Sequence, residues 1–524
     1  MSFLYESSRD YTSLVPTSSH LFTFLSGLKL ITFGTGTIIL LATVLFAYNY
    51  WFHPIAHING PFWAKATPFW LMSSVSGHRH NNDIEALHAK YGPVVRVGPN
   101  ELSFATEDAL KAIHNPPPGQ PMFTKKGTIE SLLASLIWSA PNLLSTHDKA
   151  THKRLRNALQ PAFTAKALLE QESISQYHID KEVEKMLSVG SKDPKSVLNL
   201  SEEVAGMIWD IVGDLSFGEP LQRHQRDKYE HLKITYATGA PFLELCQFLT
   251  EIPIIGRLAT LPIILTPFIY RKPRHFLLMN KLKQWIDDHD GGRKDFLTAI
   301  MSARETANLT HEEMLSNAAL FAMVGYDTTA ATISALFYLL LKHPSSMARL
   351  TAELRTAFPR KGDVTATATL KLPYLGAVIQ ETLRLLPPIN GRGSHRISPG
   401  ALVDGIYVPA GVMVSADPWS IGRSPRYWAE PHAFRPERWV PGEQDEGPWR
   451  TDVRSAWRPF MVGPRVCIGR EMALQSIRLM VSKTLVEMDL EMVNKDFVWE
   501  RDAANDYVWY NFDILVKCKP RVRG

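Results

Sequence analysis

The chain has few cysteines and little net charge for its length. Its 524 residues include only Cys246, Cys467 and Cys518, and the formal net charge is +5. So small and odd a number excludes a disulfide framework, and we expect most of the chain to lie in a reducing compartment. The sequence has neither the cysteine–histidine spacing of zinc sites nor a basic run that would bind nucleic acid. We therefore expect no nucleic-acid partner.

Long uncharged segments are rare, and one of them lies near the N-terminus. Residues 30–52 carry no charge, are long enough to cross a bilayer as a helix, and end in an aromatic cluster typical of a membrane interface. A cleaved signal peptide is the alternative, but the apolar run starts late and has no clear small-residue cleavage site. We expect an N-terminal tail over residues 1–29, a single-pass transmembrane anchor over 30–52, and one large domain over 53–524.

Helical patterns dominate this domain, and strand patterns are few and short. Thr310-His-Glu-Glu313 is a capping box, and the helical pattern that follows it runs to Lys342. Residues 94–104 and 395–416 alternate as short strands around glycine-containing turns. The apolar, proline-broken segment 252–270 is compatible with buried core, a second membrane contact or a lid. The sequence thus predicts a mainly α fold with small β-sheets.

The segment RPFMVGPRVCIGR, residues 458–470, holds Cys467 between glycines and arginines. Gly463 permits a tight turn, and Gly469 permits a close backbone approach. Cys467 precedes a helix, whose free amides and dipole favour a thiolate. A nucleophilic cysteine needs a histidine base, which is absent nearby, and a zinc or iron–sulfur site needs several cysteines. A single axial thiolate on haem needs only one.

Phe460-x-x-Gly463-x-Arg465-x-Cys467-x-Gly469 resembles the haem-binding loop of the cytochrome P450 family. The resemblance extends to three further motifs and to essentially the whole chain after the apolar N-terminal segment. It implies the P450 fold, a helix-rich domain with small β-sheets, and a bound haem b (iron protoporphyrin IX). It also implies that Cys467 is the ligand of the iron and that Phe460, Arg465 and Gly469 help to bind the cofactor.

Two motifs further support the resemblance. Glu381-Thr-Leu-Arg384 places an acid and a base three residues apart on one helix face, which alone is a weak signal. Together with Phe434-Arg-Pro-Glu-Arg438-Trp it resembles the ExxR and PERF pair of the family. The resemblance implies that Glu381, Arg384 and Arg438 form a buried charge network, which holds the segment leading to the cysteine loop.

The middle of the long helix reads Val324-Gly-Tyr-Asp-Thr-Thr329. Thr328 can donate a hydrogen bond back to the carbonyl of Val324 and bend the helix. The segment resembles the oxygen-binding motif of the family, which implies that Asp327 and Thr328 are the catalytic acid–alcohol pair that relays protons. The bend is expected to open a groove beside the helix. The family usually has Ala or Gly where this chain has Val324, and the larger valine side chain narrows that groove.

Three basic residues outside the loop match positions that reach the haem propionates. His152 and Arg156 stand four apart in a basic helix, as do the propionate-binding residues of many fungal members of the family. Arg396 resembles another propionate arginine, although His395 stands where the family often has Pro. Arginine suits carboxylates because of its fork geometry.

The resemblance implies a monooxygenase that inserts one oxygen atom from O2 into a lipophilic small molecule. Because little chain follows Cys467, we expect electrons to come from a separate protein. The resemblance implies an NADPH-dependent P450 reductase, which some members of the family supplement with cytochrome b5. We expect the anchor to lie in the endoplasmic reticulum, with the domain facing the cytosol. The basic residues expected to dock the acidic partner are Lys149, Lys153, Arg154, Arg470 and Arg478.

The substrate and the reaction stay open in the sequence. Segments such as HPIAHINGPFWAK resemble fungal microsomal members, many of which tailor terpenoids, polyketides or alkaloids. Desaturation, oxidative coupling or isomerisation are alternatives that share every motif, and a haem sensor, an electron carrier or a scaffold without haem are alternatives of another class. The segments expected to line the substrate pocket are residues 115–140, 236–270, Asn317–Met323 and Ile389–Ser394.

Overall fold

The structure is a computed structural model without ligands, and it describes residues 18–125, 140–220, 284, 292–390, 395–505 and 508–521. The apolar segment 252–270, Cys246 and parts of the expected substrate pocket lie outside the described residues.

Helices account for most of the described chain. The α-helices are α1 (Ser18–Ala47), α2 (Phe62–Ala66), α3 (Phe69–Ser76), α4 (His80–Tyr91), α5 (Glu107–His114), α6 (Lys149–Leu159), α7 (Ala165–Lys192), α8 (Leu200–Phe217), α9 (Phe296–Ser302), α10 (Arg304–Ala307), α11 (His311–Lys342), α12 (Pro344–Ala357), α13 (Ala366–Thr369), α14 (Pro373–Leu385), α15 (Pro418–Arg423), α16 (Arg470–Glu487) and α17 (Trp499–Asp502). Single 3-10 turns lie at Gln160–Phe163, Lys361–Asp363, Pro436–Trp439, Glu443–Asp445, Pro448–Thr451, Arg454–Ala456 and Gly463–Arg465, and a π-helix lies at Tyr48–Phe52.

The strands form small sheets at the edge of the helical body. They are β1 (Val94–Gly98), β2 (Glu101–Phe104), β3 (Leu198–Asn199), β4 (Arg396–Ile397), β5 (Ala401–Val403), β6 (Ile406–Val408), β7 (Met413–Ala416), β8 (Met488–Met492), β9 (Ala504–Asn505), β10 (Trp509–Tyr510) and β11 (Leu515–Pro520). The largest sheet has the order β1-β2-β7-β4, with β2 and β7 parallel and the other two pairs antiparallel. The others are β3-β11-β8, β5-β6 and β10-β9. The expected mainly α fold with small β-sheets is confirmed.

The long helix α11 begins and ends as the sequence predicts. Thr310 caps it, because its hydroxyl accepts the backbone N–H of Glu313 at 3.1 Å while the Glu313 carboxylate accepts the N–H of Thr310 at 3.1 Å. The helix continues to Lys342, and Pro344 starts the next one. It packs against α8 and α16 in the main hydrophobic core. One rigid helix thus runs through the domain and passes beside the helix that follows Cys467.

The N-terminal apolar helix is a candidate membrane span over Leu25–Phe52, and no residue of its most apolar 18-residue stretch is buried. Helix α11 passes the same length and composition test, but 67% of its window is buried inside the domain, as a core helix requires. Where the first helix ends, Phe46 packs edge-on against the ring of Trp63, with ring centroids 6.2 Å apart. The Asn49 side chain also donates to the carbonyl of Ala66 at 3.0 Å. The segment after the candidate span therefore folds back against its end.

Candidate active site around Cys467

The cysteine loop is held by its own backbone. The N–H of Cys467 donates to the carbonyl of Phe460 at 3.0 Å, and the N–H of Val466 donates to the carbonyl of Gly463 at 3.0 Å. These bonds close the loop on itself before α16 begins at Arg470. The side chain of Cys467 is exposed at the surface of this loop. The loop therefore exposes a single thiol, and the backbone hydrogen bonds that close the loop do not involve the sulfur atom.

Gly463 is the position in the loop where only glycine fits. Its φ is +79°, in the left-handed region that side chains disfavour. A Cβ there would stand 2.2 Å from the carbonyl oxygen of His114, the last residue of α5. The expected tight turn at Gly463 is confirmed, and the close contact between the loop and α5 is a second reason why only glycine fits there.

Opposing effects act on the Cys467 thiol. The thiol is accessible, but protein atoms surround it closely on its other sides, and the resulting desolvation raises its pKa because it disfavours a thiolate. The backbone N–H groups of Gly469 and Arg470, which donate to the sulfur, and the charge of Arg156 act in the other direction. The net direction is upward in the protein alone. The free amides predicted at the start of the helix are therefore present, and a metal cation is the partner that would complete thiolate stabilisation.

A cluster of cations surrounds His152, whose side chain is buried. Burial, and then the nearby positive charges, lower its pKa to about 4; the charged groups are Arg465, Arg156, Lys125 and Arg396. His152 is consequently a neutral hydrogen-bonding group at neutral pH. The structure thus brings together the predicted residues His152, Arg156, Arg396 and Arg465, and it adds Lys125, which the sequence interpretation missed.

The arginines of this cluster also fix the loops that carry them. Arg156 donates to the carbonyl of Val466 at 2.8 Å, next to Cys467, and Arg465 donates to the carbonyl of Thr146 at 3.0 Å. Burial, and then the charge of Arg396, lower the pKa of Arg465 to about 10. The positive charges of Arg396 and Arg465 repel each other, and a bound anion would relieve that repulsion. The cluster suits a ligand with two carboxylates.

These residues fit a haem. Cys467 offers the single thiolate that axial ligation requires, and the cation cluster suits the two propionates. A Cβ on Gly469 would meet no described atom within 4 Å, so the side of the loop next to Cys467 is open to a bulky ligand. Within the described residues, no group of three or more His, Cys, Asp or Glu side chains could hold a metal by itself.

The middle of α11 has the local bond that its sequence predicts. The Thr328 hydroxyl donates to the carbonyl of Val324 at 2.9 Å, and Thr332 repeats the pattern one turn later with the carbonyl of Thr328 at 2.7 Å. Asp327 and Thr328 are partly buried. Burial, and then the charge of Asp327, raise the pKa of Tyr326, so its phenol stays protonated. The helix thus carries a carboxylate and a hydroxyl on consecutive residues, both partly buried.

The small size of Gly325 lets α11 lie close to α8. A Cβ at Gly325 would stand 3.2 Å from Cγ1 of Val212. One residue further on, the ring of Tyr326 packs edge-on against Trp209, with centroids 4.9 Å apart. The side of α11 around Gly325 and Tyr326 is therefore filled by α8.

The predicted charge network around Glu381 is present and has no exposed side-chain surface. Arg384 binds both carboxylate oxygens of Glu381, at 2.8 and 2.7 Å, and Arg438 binds one of them at 3.1 Å. Burial alone would raise the pKa of Glu381, but the two guanidinium groups hold it below its usual range. Two partners were missed from the sequence: Asp452, which pairs with Arg438, and Trp439, which donates to Glu381 at 2.8 Å.

The same network ties α14 to the irregular segment that leads to the cysteine loop. Arg384 donates to the carbonyls of Gly422 and Pro431, each at 2.6 Å, and to that of Ala433 at 3.0 Å. Arg454 continues the chain of bonds by donating to the carbonyl of Arg438 at 2.7 Å. The locking function expected of this network therefore has a direct structural basis.

One of the five cations expected to dock a partner is engaged inside the protein. Arg154 forms a double hydrogen bond with Glu313, at 3.1 and 2.5 Å, and also donates to the carbonyl of Asn308. The prediction for Arg154 is therefore corrected: it joins α6 to the start of α11. Lys149 and Lys153 are exposed on α6. The two remaining cations lie on α16: Arg470 is exposed beside Glu471, and Arg478 is half-buried.

Comparison with known proteins gives the same interpretation. A family model described as "Cytochrome P450" matches residues 61–511. Cytochrome P450 monooxygenase dpfgJ of Gibberella zeae is 42% identical over 480 residues, which cover 91% of this chain and 92% of the relative. Cytochrome P450 monooxygenase btcB of Colletotrichum orbiculare is 43% identical over 488 residues, covering 91% and 89%. Sesterfisheric acid synthase of Neosartorya fischeri is 37% identical over 533 residues, covering 93% and 95%. The chain therefore belongs to the cytochrome P450 family of haem-thiolate oxidoreductases.

Proposed function

We propose that the protein uses Cys467 as the thiolate ligand of a haem b and inserts one oxygen atom from O2 into a lipophilic small molecule. The observation that supports this most directly is the exposed thiol of Cys467 next to a cluster of cations centred on His152. Family membership implies haem iron, a redox partner and a lipophilic substrate. The haem supplies the activation of dioxygen, and the side chains hold the cofactor, exclude water and move protons.

The cation cluster around His152 and the open side of the loop at Gly469 support the roles that we propose for the cofactor-binding residues. His152 donates a hydrogen bond to a propionate from its neutral imidazole, and Arg156, Arg396 and Arg465 balance the charge of both propionates. Three residues act from the cysteine loop: Cys467 binds the iron, Phe460 shields one side of the sulfur, and Gly469 leaves space for the ring.

Proton delivery is the proposed function of Asp327 and Thr328. The Thr328 hydroxyl donates its hydrogen bond to the carbonyl of Val324, so its oxygen is available to accept a hydrogen bond from a second donor. Asp327, its chain neighbour, is the nearest carboxylate in sequence that can exchange protons with solvent. The pair passes protons into the site without admitting bulk water.

Thr328→Ala is expected to uncouple the enzyme. NADPH and O2 continue to be consumed, peroxide is released, and product per NADPH falls on the order of tenfold or more, because proton transfer by a positioned group contributes at least that much. Product, NADPH and peroxide are measured together with the full-length protein and a P450 reductase.

Thr332→Ala is the matched control, because Thr332 is on the same helix and makes the same type of bond to a carbonyl four residues back. It should leave the ratio of product to NADPH close to that of the wild type. Unchanged coupling in Thr328→Ala would contradict proton delivery by Thr328. A wild-type protein that accepts electrons and forms no product would instead favour an electron carrier, which needs no proton relay.

Electrons are proposed to come from NADPH through a separate P450 reductase, with cytochrome b5 as a second donor. Lys149 and Lys153 on α6, and Arg470 and Arg478 on α16, are the cations proposed to dock these acidic proteins. Helices α6 and α16 also carry or adjoin the cofactor residues, so docking there would place the donor close to the haem.

A membrane location is proposed from the exposed apolar helix. The candidate span Leu25–Phe52 contains the predicted anchor 30–52 and begins slightly earlier. The aromatic side chains of Trp51, Phe52 and Trp63 at its end are more than 60% exposed, as suits the interface between lipid and water. We propose a single-pass anchor in the endoplasmic reticulum with the domain in the cytosol, where the reductase and reducing conditions are found.

The substrate is proposed to be an intermediate of a fungal secondary-metabolite pathway, a terpenoid, polyketide or alkaloid. Several relatives are fungal monooxygenases, and one is named for the synthesis of sesterfisheric acid. Removing the gene from its producing organism is expected to eliminate a metabolite and to accumulate a precursor one oxygen atom lighter, as comparative mass spectrometry detects. A precursor and product that differ by two hydrogen atoms would instead indicate desaturation or ring coupling.

A further inference from the structure

Residues 140–148, which lead into α6, accept hydrogen bonds from two cations of the cluster around His152, Lys125 and Arg465, and cap the helix that carries His152 and Arg156; we name this segment the brace. Inside the brace, the carboxamide oxygen of Asn142 accepts the backbone N–H groups of Leu144 at 3.1 Å and Ser145 at 2.8 Å. The Ser145 hydroxyl in turn accepts the N–H of Asn142 at 3.1 Å. The Asn142 side chain is fully buried. The brace is therefore a rigid turn built around one asparagine.

The brace is bonded to α11 by side chains that are also buried. The carboxamide oxygen of Asn317 accepts the N–H of Leu143 at 2.9 Å, and its amide group donates to the carbonyl of Glu313 at 2.7 Å. One residue earlier, the Ser316 hydroxyl accepts from the amide of Asn142 at 3.2 Å and donates to the carbonyl of Ala140 at 2.9 Å. The position of the brace is thus set by the helix that carries Asp327 and Thr328.

The other contacts of the brace go to the cofactor-facing cations. Arg465 of the cysteine loop donates to the carbonyl of Thr146 at 3.0 Å, and Lys125 donates to the carbonyl of Leu144. At its end, Asp148 caps α6 by accepting the N–H of Thr151 at 2.7 Å, and α6 presents His152 and Arg156. Arg396 is linked through Lys125, because Thr124 pairs with Ile397 in an isolated bridge.

From these contacts we infer that Asn142 and Asn317 are positioning residues for the haem, which act by holding the brace and through it the cations that face the propionates. Pre-organisation of this kind lowers the cost of ordering the site when the ligand binds. The inference rests on the proposed function, since it takes the haem propionates as the anions bound by the cluster. Burying the polar side chains of Asn142, Ser316 and Asn317 is costly unless all of their polar groups are bonded, so we expect the bonds of the brace to form cooperatively.

The test measures the rate at which haem leaves the purified full-length protein. Haem transfer to an excess of apomyoglobin is followed by the change in haem absorption. Asn317→Ala is expected to accelerate haem loss on the order of tenfold, the factor that corresponds to the loss of one buried hydrogen bond. Ser316→Ala is a milder change in the contact between the brace and α11, and it should accelerate haem loss less. This variant also tests the inference if Asn317→Ala does not fold.

Asn494→Ala is the matched control for a general loss of stability. The Asn494 side chain makes the same pair of bonds as Asn317, accepting the N–H of Leu515 at 2.9 Å and donating to the carbonyl of Asp513 at 2.8 Å, but it joins β8 to β11. It should lower the midpoint of thermal unfolding without accelerating haem loss. Equal acceleration in the Asn494 and Asn317 variants would overturn the inference.

A double variant tests the route through Arg465. Arg465→Lys removes the forked group that joins the loop to Thr146. If Asn317 acts through that bond, Asn317→Ala should accelerate haem loss less in the Arg465→Lys background than in the wild type. Equal fold-changes in both backgrounds would contradict the proposed route. A wild-type protein that contains no haem would refute the proposed function itself, whereas a haem-loaded protein with unaltered Asn317→Ala kinetics would refute only the inference.

Discussion

Arg384→Ala is expected to yield a protein without bound haem. The substitution leaves the buried Glu381 carboxylate without its bidentate partner and frees three carbonyl groups, those of Gly422, Pro431 and Ala433. Breaking a buried pair on one side costs roughly 3–5 kcal/mol, which is a large fraction of the about 5–15 kcal/mol that stabilises a typical domain. Haem content per protein, from absorbance and a pyridine haemochrome assay, is the measurement.

Arg355→Ala is the control that separates this network from arginine loss in general. Arg355 donates to the carbonyl of Leu485 at 2.9 Å and to the carboxylate of Asp489 at 2.8 Å, the same kinds of acceptor that Arg384 binds. The Asp489 side chain is 60% exposed, so this pair is worth about 0–1 kcal/mol and the variant should retain haem. Normal haem content in Arg384→Ala would show that the network does not support the cysteine loop.

The expected loss of haem is an indirect effect of the substitution. Arg384 lies on α14, and the hydrogen bonds described for its side chain go to Glu381 and to backbone carbonyls, not to Cys467. It acts on the carbonyls of residues 422–433, and Arg438, its partner at Glu381, is followed by the segment that ends in the cysteine loop. That segment consists mainly of single turns from Pro436 onward, most of whose backbone bonds join residues only three or four positions apart. The buried charge network joins these turns to α14, and for this reason its removal should affect haem binding before it affects the helices.

Features that depend on neighbouring residues could be predicted from the sequence. The capping box at Thr310, the bond from Thr328 to Val324 and the turn at Gly463 all follow from local geometry, and the structure has each of them. The charge network around Glu381 could be predicted only because the motifs resemble those of a family. The spacing of Glu381 and Arg384 on a helix is equally common on exposed surfaces.

Features that depend on contacts between distant residues could not be predicted. The brace and α11 are bonded across 174 positions of the chain, and neither Asn142 nor Asn317 stands in a distinctive local pattern. The correction at Arg154 has the same cause, because its partner Glu313 lies 159 positions away. A basic residue on a helix is usually exposed, and only the tertiary fold decides that this one is paired.

Cys467→Ala is expected to abolish the thiolate-type absorption of the CO-bound reduced protein and to eliminate monooxygenase turnover. Neither Cys246 nor Cys518 stands in a comparable sequence motif, and an axial thiolate would favour cleavage of the O–O bond. The loop itself should persist, because the N–H of residue 467 still donates to the carbonyl of Phe460 and Arg156 still donates to that of Val466. Some haem is therefore expected to remain bound through its propionates.

Cys518→Ala is the control for removal of a thiol as such. Cys518 lies in β11, is 2% exposed, and burial raises the pKa of its thiol to about 12, so it stays protonated at neutral pH. Its replacement should leave the CO spectrum and the turnover unchanged. If Cys467→Ala kept a thiolate-type spectrum, the iron would have another sulfur ligand and the assignment of Cys467 would be wrong. If it lost that spectrum while retaining haem, ligation by Cys467 and retention through the cations around His152 would be two separable functions of the site.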